Sequence, residues 1–146
     1  MLVLMLAGGT LSATEEVSAP IQRVEIDKNL QVLRAYEDER LVFQSRISTG
    51  KSDRSTPNGR FTVGVKYRMH YSRRYRNAPM PFSVQVKGHI FIHGFKEVPA
   101  RPASHGCIRL PLDGENPAKW FFDWVRPGTP IEVSGRWEAP EPRSRR

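Results

Sequence analysis

Residues 23–50 read "RVEIDKNLQVLRAYEDERLVFQSRISTG". Val24 and Ile26 alternate with charged residues, the two-residue period of a half-buried strand and not the 3.6-residue period of a helix. Val32, Leu33 and Tyr36 repeat the alternation less regularly, and "EDER" at 37–40 separates them from "LVFQSRIS". Short apolar runs broken by polar turns predict two or three strands. Connections this short make neighbours antiparallel.

Outward from this stretch the β character continues. In "TGKSDRSTPNGRFTVGVKY" (49–67), Thr49-Gly50 and Pro57-Asn58-Gly59 are turn signals, and Phe61, Val63 and Val65 alternate as a further strand. Arg68 to Pro81 is basic, aromatic and interrupted by prolines, with no clean period. It reads as a long surface loop, the kind of segment that serves as a lid or binding loop. "FSVQVKGHIFIHGF" (82–95) returns to strand, with a turn at Gly88. One helix is expected. Asp113 stands as its cap, "ENPAKWFFDWV" brings Trp120, Phe121, Trp124 and Val125 to one side, and Pro127-Gly128 stops it. "TPIEVSG" makes a last strand, and residues 135–146 read as a disordered tail. The fold class is mostly β, with one main helix near the C-terminal end.

At 146 residues the chain fits one domain with its own core. Twelve prolines and eleven glycines argue against a helical bundle. The net charge of +8 favours polyanionic surroundings: nucleic acid, anionic lipid or an acidic wall polymer. Charge does not choose among them. In "YSRRYR", Arg73, Arg74 and Arg76 interleave with Tyr71 and Tyr75, which fits a nucleic-acid surface or a solvated loop; we read the loop and expect no nucleic acid. Residues 1–7, "MLVLMLA", are too short for a bilayer span of about 20 residues. They resemble the apolar region of a secretory signal, with Ser12 and Ala13 before a polar start and no basic residues ahead of them. Residues 1–20 are read as a signal-like or anchor segment, so export is expected. No other segment reads as an integral membrane span.

An exported chain with one cysteine, Cys107, forms no internal disulfide and leaves a thiol free to react. His89, His93, His105 and Cys107 are potential zinc ligands. However, "HIFIH" is strand-like, and four strand residues span roughly 13 Å, too far for one tetrahedral ion. No metal and no cofactor is expected. A cysteine nucleophile fits better, because an adjacent imidazole can take its proton. His93, at the end of a strand, is assigned as the base and His105 as support. Gly106 lets the chain turn sharply, so that consecutive N–H groups from His105 to Cys107 can face one point as an oxyanion hole. Ser104 is read as a loop tether. Arg109 is suited to a substrate carboxylate or, equally, to clamping the loop.

These residues resemble a family. "HGF" at 93–95, ten intervening residues, then "SHGCIRL" is similar to the signature of the L,D-transpeptidase (YkuD-like) catalytic domain. Upstream, "IDKNLQVLRAYEDERLVFQSRISTGKSDRSTPNGRFTV" resembles its opening strands, and "NPAKWFFDWVRPGTPIEV" its closing helix and strand. The resemblance covers roughly residues 21–134, taken as the catalytic domain. It implies a β-sandwich or barrel-like sheet with one helix, at a periplasmic or cell-wall location. The implied reaction is acyl transfer through a Cys107 thioester on peptidoglycan stem peptides, forming 3→3 cross-links or attaching a wall-anchored protein or D-amino acid. Carbapenems, which acylate this family's cysteine, are implied as probes. By position, His93 is the base and the Gly94 carbonyl orients it. His105 and Gly106 belong to the oxyanion turn, and Ser104 and Arg109 shape the pocket. Met80 and Phe82 lie where the family's lid and groove contribute. The interval from His93 to Cys107 is short for the family, which implies a trimmed loop over the site. With water as acceptor, the same site gives an L,D-carboxypeptidase or a wall-protein-releasing amidase. A non-catalytic basic wall- or nucleic-acid-binding module is the reading of another class.

Overall fold

The computed structural model describes residues 8–10 and 17–143. The signal-like stretch at 1–7, residues 11–16 and the last three residues of the tail lie outside the described residues. No described helix is long and apolar enough to cross a membrane.

β1 (Gln22–Asp27), β2 (Val32–Glu37) and β3 (Arg40–Arg46) form an antiparallel meander, as the alternation predicted. The β2–β3 turn has Asp38 and Glu39 at φ of 47° and 63°, between the paired Glu37 and Arg40. Left-handed backbone at both central positions makes a turn that matches strand twist. β4 (Gly59–Thr62) follows a short helical turn at Ser52–Arg54. The remaining elements are β5 (Lys66–Ser72), β6 (Ala78–Lys87), β7 (Ile90–Phe95), β8 (Ile108–Pro111), α1 (Pro117–Trp124) and β9 (Pro130–Ser134).

Two sheets result, ordered β3-β2-β1-β9-β4 and β5-β6-β7-β8. Both are mixed, because β9 lies parallel to β1 and β8 parallel to β7. Val24, Ile26, Leu33, Ile131 and Val133 of the first sheet share one core with Val84, Ile92, Ile108 and Leu110 of the second. Ala118 and Phe121 of α1 complete it. Leaving β3, the chain crosses between the sheets: Ser48 bridges to Arg109 and Gly50 to Ser104. That crossing ties the cysteine loop to the first sheet.

Three expectations need correction. The run Phe61–Val65 is not one strand: β4 ends at Thr62 in the first sheet, and β5 begins at Lys66 in the second. Residues 68–81 are not a loop but most of the β5–β6 hairpin. β5 is an edge strand with much of both faces exposed, so no burial pattern marks it. Pro79 and Pro81 sit where β6 pairs only with β5, an edge position that tolerates a missing N–H. Asp113 does not cap α1. Asn116 does, its side chain accepting from Lys119 N at 3.1 Å with Pro117 in the first turn, while Asp113 pairs with Arg46 on the surface. Residues 135–143 carry no helix or strand, although Arg136 N donates to Asn29 at 2.9 Å.

Phe121 is fully buried where α1 meets both sheets. Phe121→Ala should cost about 3–5 kcal/mol in urea unfolding at pH 7. A loss under about 1 kcal/mol would show that α1 is peripheral to the core.

Candidate active site

β7 and β8 run parallel, with Ile92 beside Ile108 and His93 beside Arg109. Side chains alternate along strands, so His93, Arg109 and Cys107, which immediately precedes β8, emerge on one face. All three line a cavity of about 390 Å³, walled also by Met80, Ser104 and His105. The imidazole on β7 and the thiol just before β8 are thus delivered by neighbouring strands that share a register.

His93 is 5% exposed. Its Nδ1 lies 2.8 Å from the Gly94 carbonyl oxygen, and since a carbonyl only accepts, Nδ1 carries the proton and Nε2 the lone pair. Burial pushes its pKa down to about 4; the Gly94 bond opposes this, and repulsion from Arg109 and His70 adds to it. The ring is therefore neutral at pH 7. Gly94 itself sits under the helix: a Cβ there would lie 2.4 Å from Leu112 Cδ2 and 3.1 Å from Ala118 Cβ.

Burial pushes the Cys107 thiol above its ordinary pKa, while the Phe91 N–H and the Arg109 charge pull the other way. The thiol donates to the His89 carbonyl at 3.4 Å. A neutral imidazole with a free Nε2 lone pair can take the proton of a neutral thiol as sulfur attacks, which is the resting state a general-base step requires.

The cysteine turn is held from inside. Ser104 Oγ accepts the Gly106 N–H at 3.1 Å and donates to the Cys107 carbonyl. Ser104 thus bridges Gly106 and Cys107 within the turn. Gly106 has φ of 126°, the sharp turn that needs glycine. Its N–H, read from sequence as one of three oxyanion donors, is engaged by Ser104 and so is not one. The His105 and Cys107 N–H groups donate to no protein acceptor among the described residues.

The other expected residues divide. Met80 is buried in the cavity wall. Phe82 does not line it. At φ of 55° it breaks the alternation of β6, and its ring packs on Phe122 at 5.7 Å, away from Met80's side. Arg109 stacks over Phe95 at 4.1 Å, with Nη1 3.5 Å from the Glu97 carbonyl, and stays half-buried at the cavity edge. His105 is exposed and stacks on Tyr75 at 4.3 Å; the Tyr75 hydroxyl takes a hydrogen bond from Arg54 at 3.0 Å. The β5–β6 hairpin therefore roofs the thiol side of the cavity. Sequence reading missed Tyr75 and His70, which stacks on Phe91 at 5.0 Å inside the same cavity. The only signal for Tyr75 was its place in the basic run. His89 also reaches the cavity, but no three His, Cys, Asp or Glu side chains converge as metal ligands among the described residues.

The two-sheet architecture with one helix is shared by known proteins. The family model of the YkuD L,D-transpeptidase catalytic domain matches residues 21–133, and the chain belongs to that family. A curated relative from Bacillus licheniformis, described as a putative L,D-transpeptidase YkuD, is 30% identical over 119 residues, covering 72% of this chain and 67% of its own. An L,D-transpeptidase structure from Xylanimonas cellulosilytica is 29% identical with a TM-score of 0.70 over 81% of this chain. One from Stackebrandtia nassauensis, at 22% identity, shares the fold with a TM-score of 0.73 over 90% of this chain. The chain covers 62% of the length of each of these two structures.

The His93 shift has a consequence for stability. The folded state refuses a proton until about pH 4, whereas an unfolded histidine takes one near pH 6.5. Stability from this group is complete above pH 6.5 and is lost as pH falls toward 4, by about 3 kcal/mol. Urea unfolding at pH 7 and pH 4 should show wild type losing about that much more than His93→Gln. Equal losses in the two proteins would refute the buried neutral ring.

Proposed function

We propose that this domain is a peptidoglycan L,D-transpeptidase, with Cys107 as nucleophile and His93 as base. The observation that carries the reading is the convergence on one cavity of the Cys107 thiol and a histidine with its proton fixed on Nδ1, beside a turn whose His105 and Cys107 amides are unengaged among the described residues. A stem peptide enters with its L,D amide over Sγ. The Sγ proton passes to His93 Nε2 as sulfur bonds to the carbonyl carbon, and the His105 and Cys107 N–H groups face the oxyanion. Collapse breaks the amide, and His93 returns the proton to the departing amine of the terminal D-amino acid. An acceptor amine then attacks the thioester, giving a 3→3 cross-link or an anchored protein, and restores the thiol. Arg109 serves a substrate carboxylate, and Met80 walls the groove. Tyr75, stacked on His105 beside the thiol, favours the transfer reading over hydrolysis by covering one side of the cavity. Action on peptidoglycan implies a location outside the cytoplasm, in the periplasm or at the wall, and the +8 charge suits an acidic polymer.

Intact-mass spectrometry after incubation with a carbapenem should give a one-to-one adduct on wild type and none on Cys107→Ala. His93→Ala should slow adduct formation by roughly 10²-fold or more. Folded wild-type protein that takes no adduct would remove the acyl-transfer reading.

A further inference from the structure

We infer that Thr56 is a positioning residue for acyl transfer: its hydroxyl aims the Cys107 N–H at the cavity. This rests on the reading of Cys107 as the acylated thiol. The Gly106 carbonyl and the Cys107 N–H belong to one planar trans peptide, so they point in opposite directions. Thr56 Oγ1 donates to the Gly106 oxygen at 2.7 Å and accepts the Gly50 N–H at 3.0 Å. Thr56 is 1% exposed and lies beneath the loop, not in the cavity wall. With the carbonyl drawn down to Thr56, the N–H is turned up, toward the face on which Cys107 opens.

Among the described residues nothing else holds this peptide group by its own atoms. Ser104 grips its neighbours, the Gly106 N–H and the Cys107 carbonyl. The residue on one side is a glycine at φ of 126°, whose backbone resists rotation least. The site also demands a hydroxyl, because Gly50 needs an acceptor and Gly106 a donor, and one Ser/Thr oxygen supplies both. Thr56 is itself fixed by the buried Lys28, whose Nζ donates to the Thr56 carbonyl at 2.6 Å and to Ser55 Oγ at 3.1 Å. Burial lowers the Lys28 pKa, and the proposed chemistry makes no use of this cation. The second unengaged amide has a parallel support: the Ser104 carbonyl accepts from Lys51 N at 3.0 Å, which turns the His105 N–H away. Segment 50–56 thus orients both donors, but only Thr56 does so with a side chain that mutation can remove.

Two rates on purified protein test this: acylation by a carbapenem, which passes through an oxyanion, and alkylation by iodoacetamide, which does not. Thr56→Val should slow acylation by about 10²-fold, the scale of a lost oxyanion donor. Its alkylation should stay within about twofold of wild type, and Thr56→Ser should restore acylation to within about threefold. Folding is followed by circular dichroism and melting. Should Thr56→Val fail to fold, Lys28→Met, which frees the Thr56 carbonyl but keeps the hydroxyl, is read by the same two rates, with a selective several-fold loss of acylation expected. A folded variant that acylates at the wild-type rate overturns the inference, and so does a parallel loss of both rates, which marks a merely structural role. Wild type that is not acylated at all instead overturns the transpeptidase reading beneath it.

Discussion

Two stretches of backbone meet almost in contact where segment 47–56 passes under the cysteine loop, and the site depends on that approach. A Cβ on Gly50 would stand 2.0 Å from the Arg54 carbonyl oxygen and 2.8 Å from Gly106 Cα. Only a residue without a side chain lets the chains come this close. The closeness lets Thr49 accept from Ala103 and Ser104, Lys51 donate to Ser104, and Thr56 reach Gly106. The turn that carries Cys107 is consequently fixed by the chain leaving β3, in the other sheet. Its geometry is that of a strand register, not of a free surface loop.

The electrostatics of the cavity follow from burial more than from charge pairing. His93 is neutral because the core on one side and Arg109 on the other disfavour a proton, while the Gly94 carbonyl settles which nitrogen holds the one it has. Cys107 is protonated because burial disfavours the thiolate, against the pull of Arg109 and the Phe91 N–H, and its hydrogen is turned to the His89 carbonyl. A preformed thiolate–imidazolium pair would have needed a carboxylate or solvent to stabilise the cation. Among the described residues no carboxylate acts on His93: burial and repulsion from Arg109 and His70 disfavour a second proton, and only the Gly94 carbonyl favours one. Activation in the proposed chemistry therefore falls to the bound substrate, which excludes water and draws the thiol proton to Nε2 as its carbonyl arrives.

The roof over this cavity belongs to a hairpin whose edge strand, β5, exposes much of both faces. β5 presents Tyr67, Met69 and Tyr71 at 44%, 48% and 54% exposure, and its hairpin tip holds Tyr75 against His105. The Arg54–Tyr75–His105 contacts connect the tip to the same 50–56 segment that orients the cysteine turn. One short stretch thus touches the site from below through Thr56 and from above through Arg54.

By itself the sequence determined whatever depends on near neighbours. The alternation in β1 is a local property of Val24 and Ile26, the sharp turn before Cys107 needs only Gly106, and the amphipathic run around Phe121 marks the helix. The His93–Cys107 pattern pointed to the family because spacing along the chain is itself the signal. Tertiary structure decided the rest. β5 was invisible because an edge strand exposed on both sides has no buried period. Asn116 displaced Asp113 as cap because a left-handed residue before Pro117 sets where the helix starts. Phe82 left the cavity through a backbone angle that no side-chain pattern encodes. Thr56 and Gly106, fifty residues apart, meet only when the two sheets close. The pKa of His93 exists only once Ile92, Gly94 and the helix have excluded water, since burial is a property of the folded chain and of no residue in it.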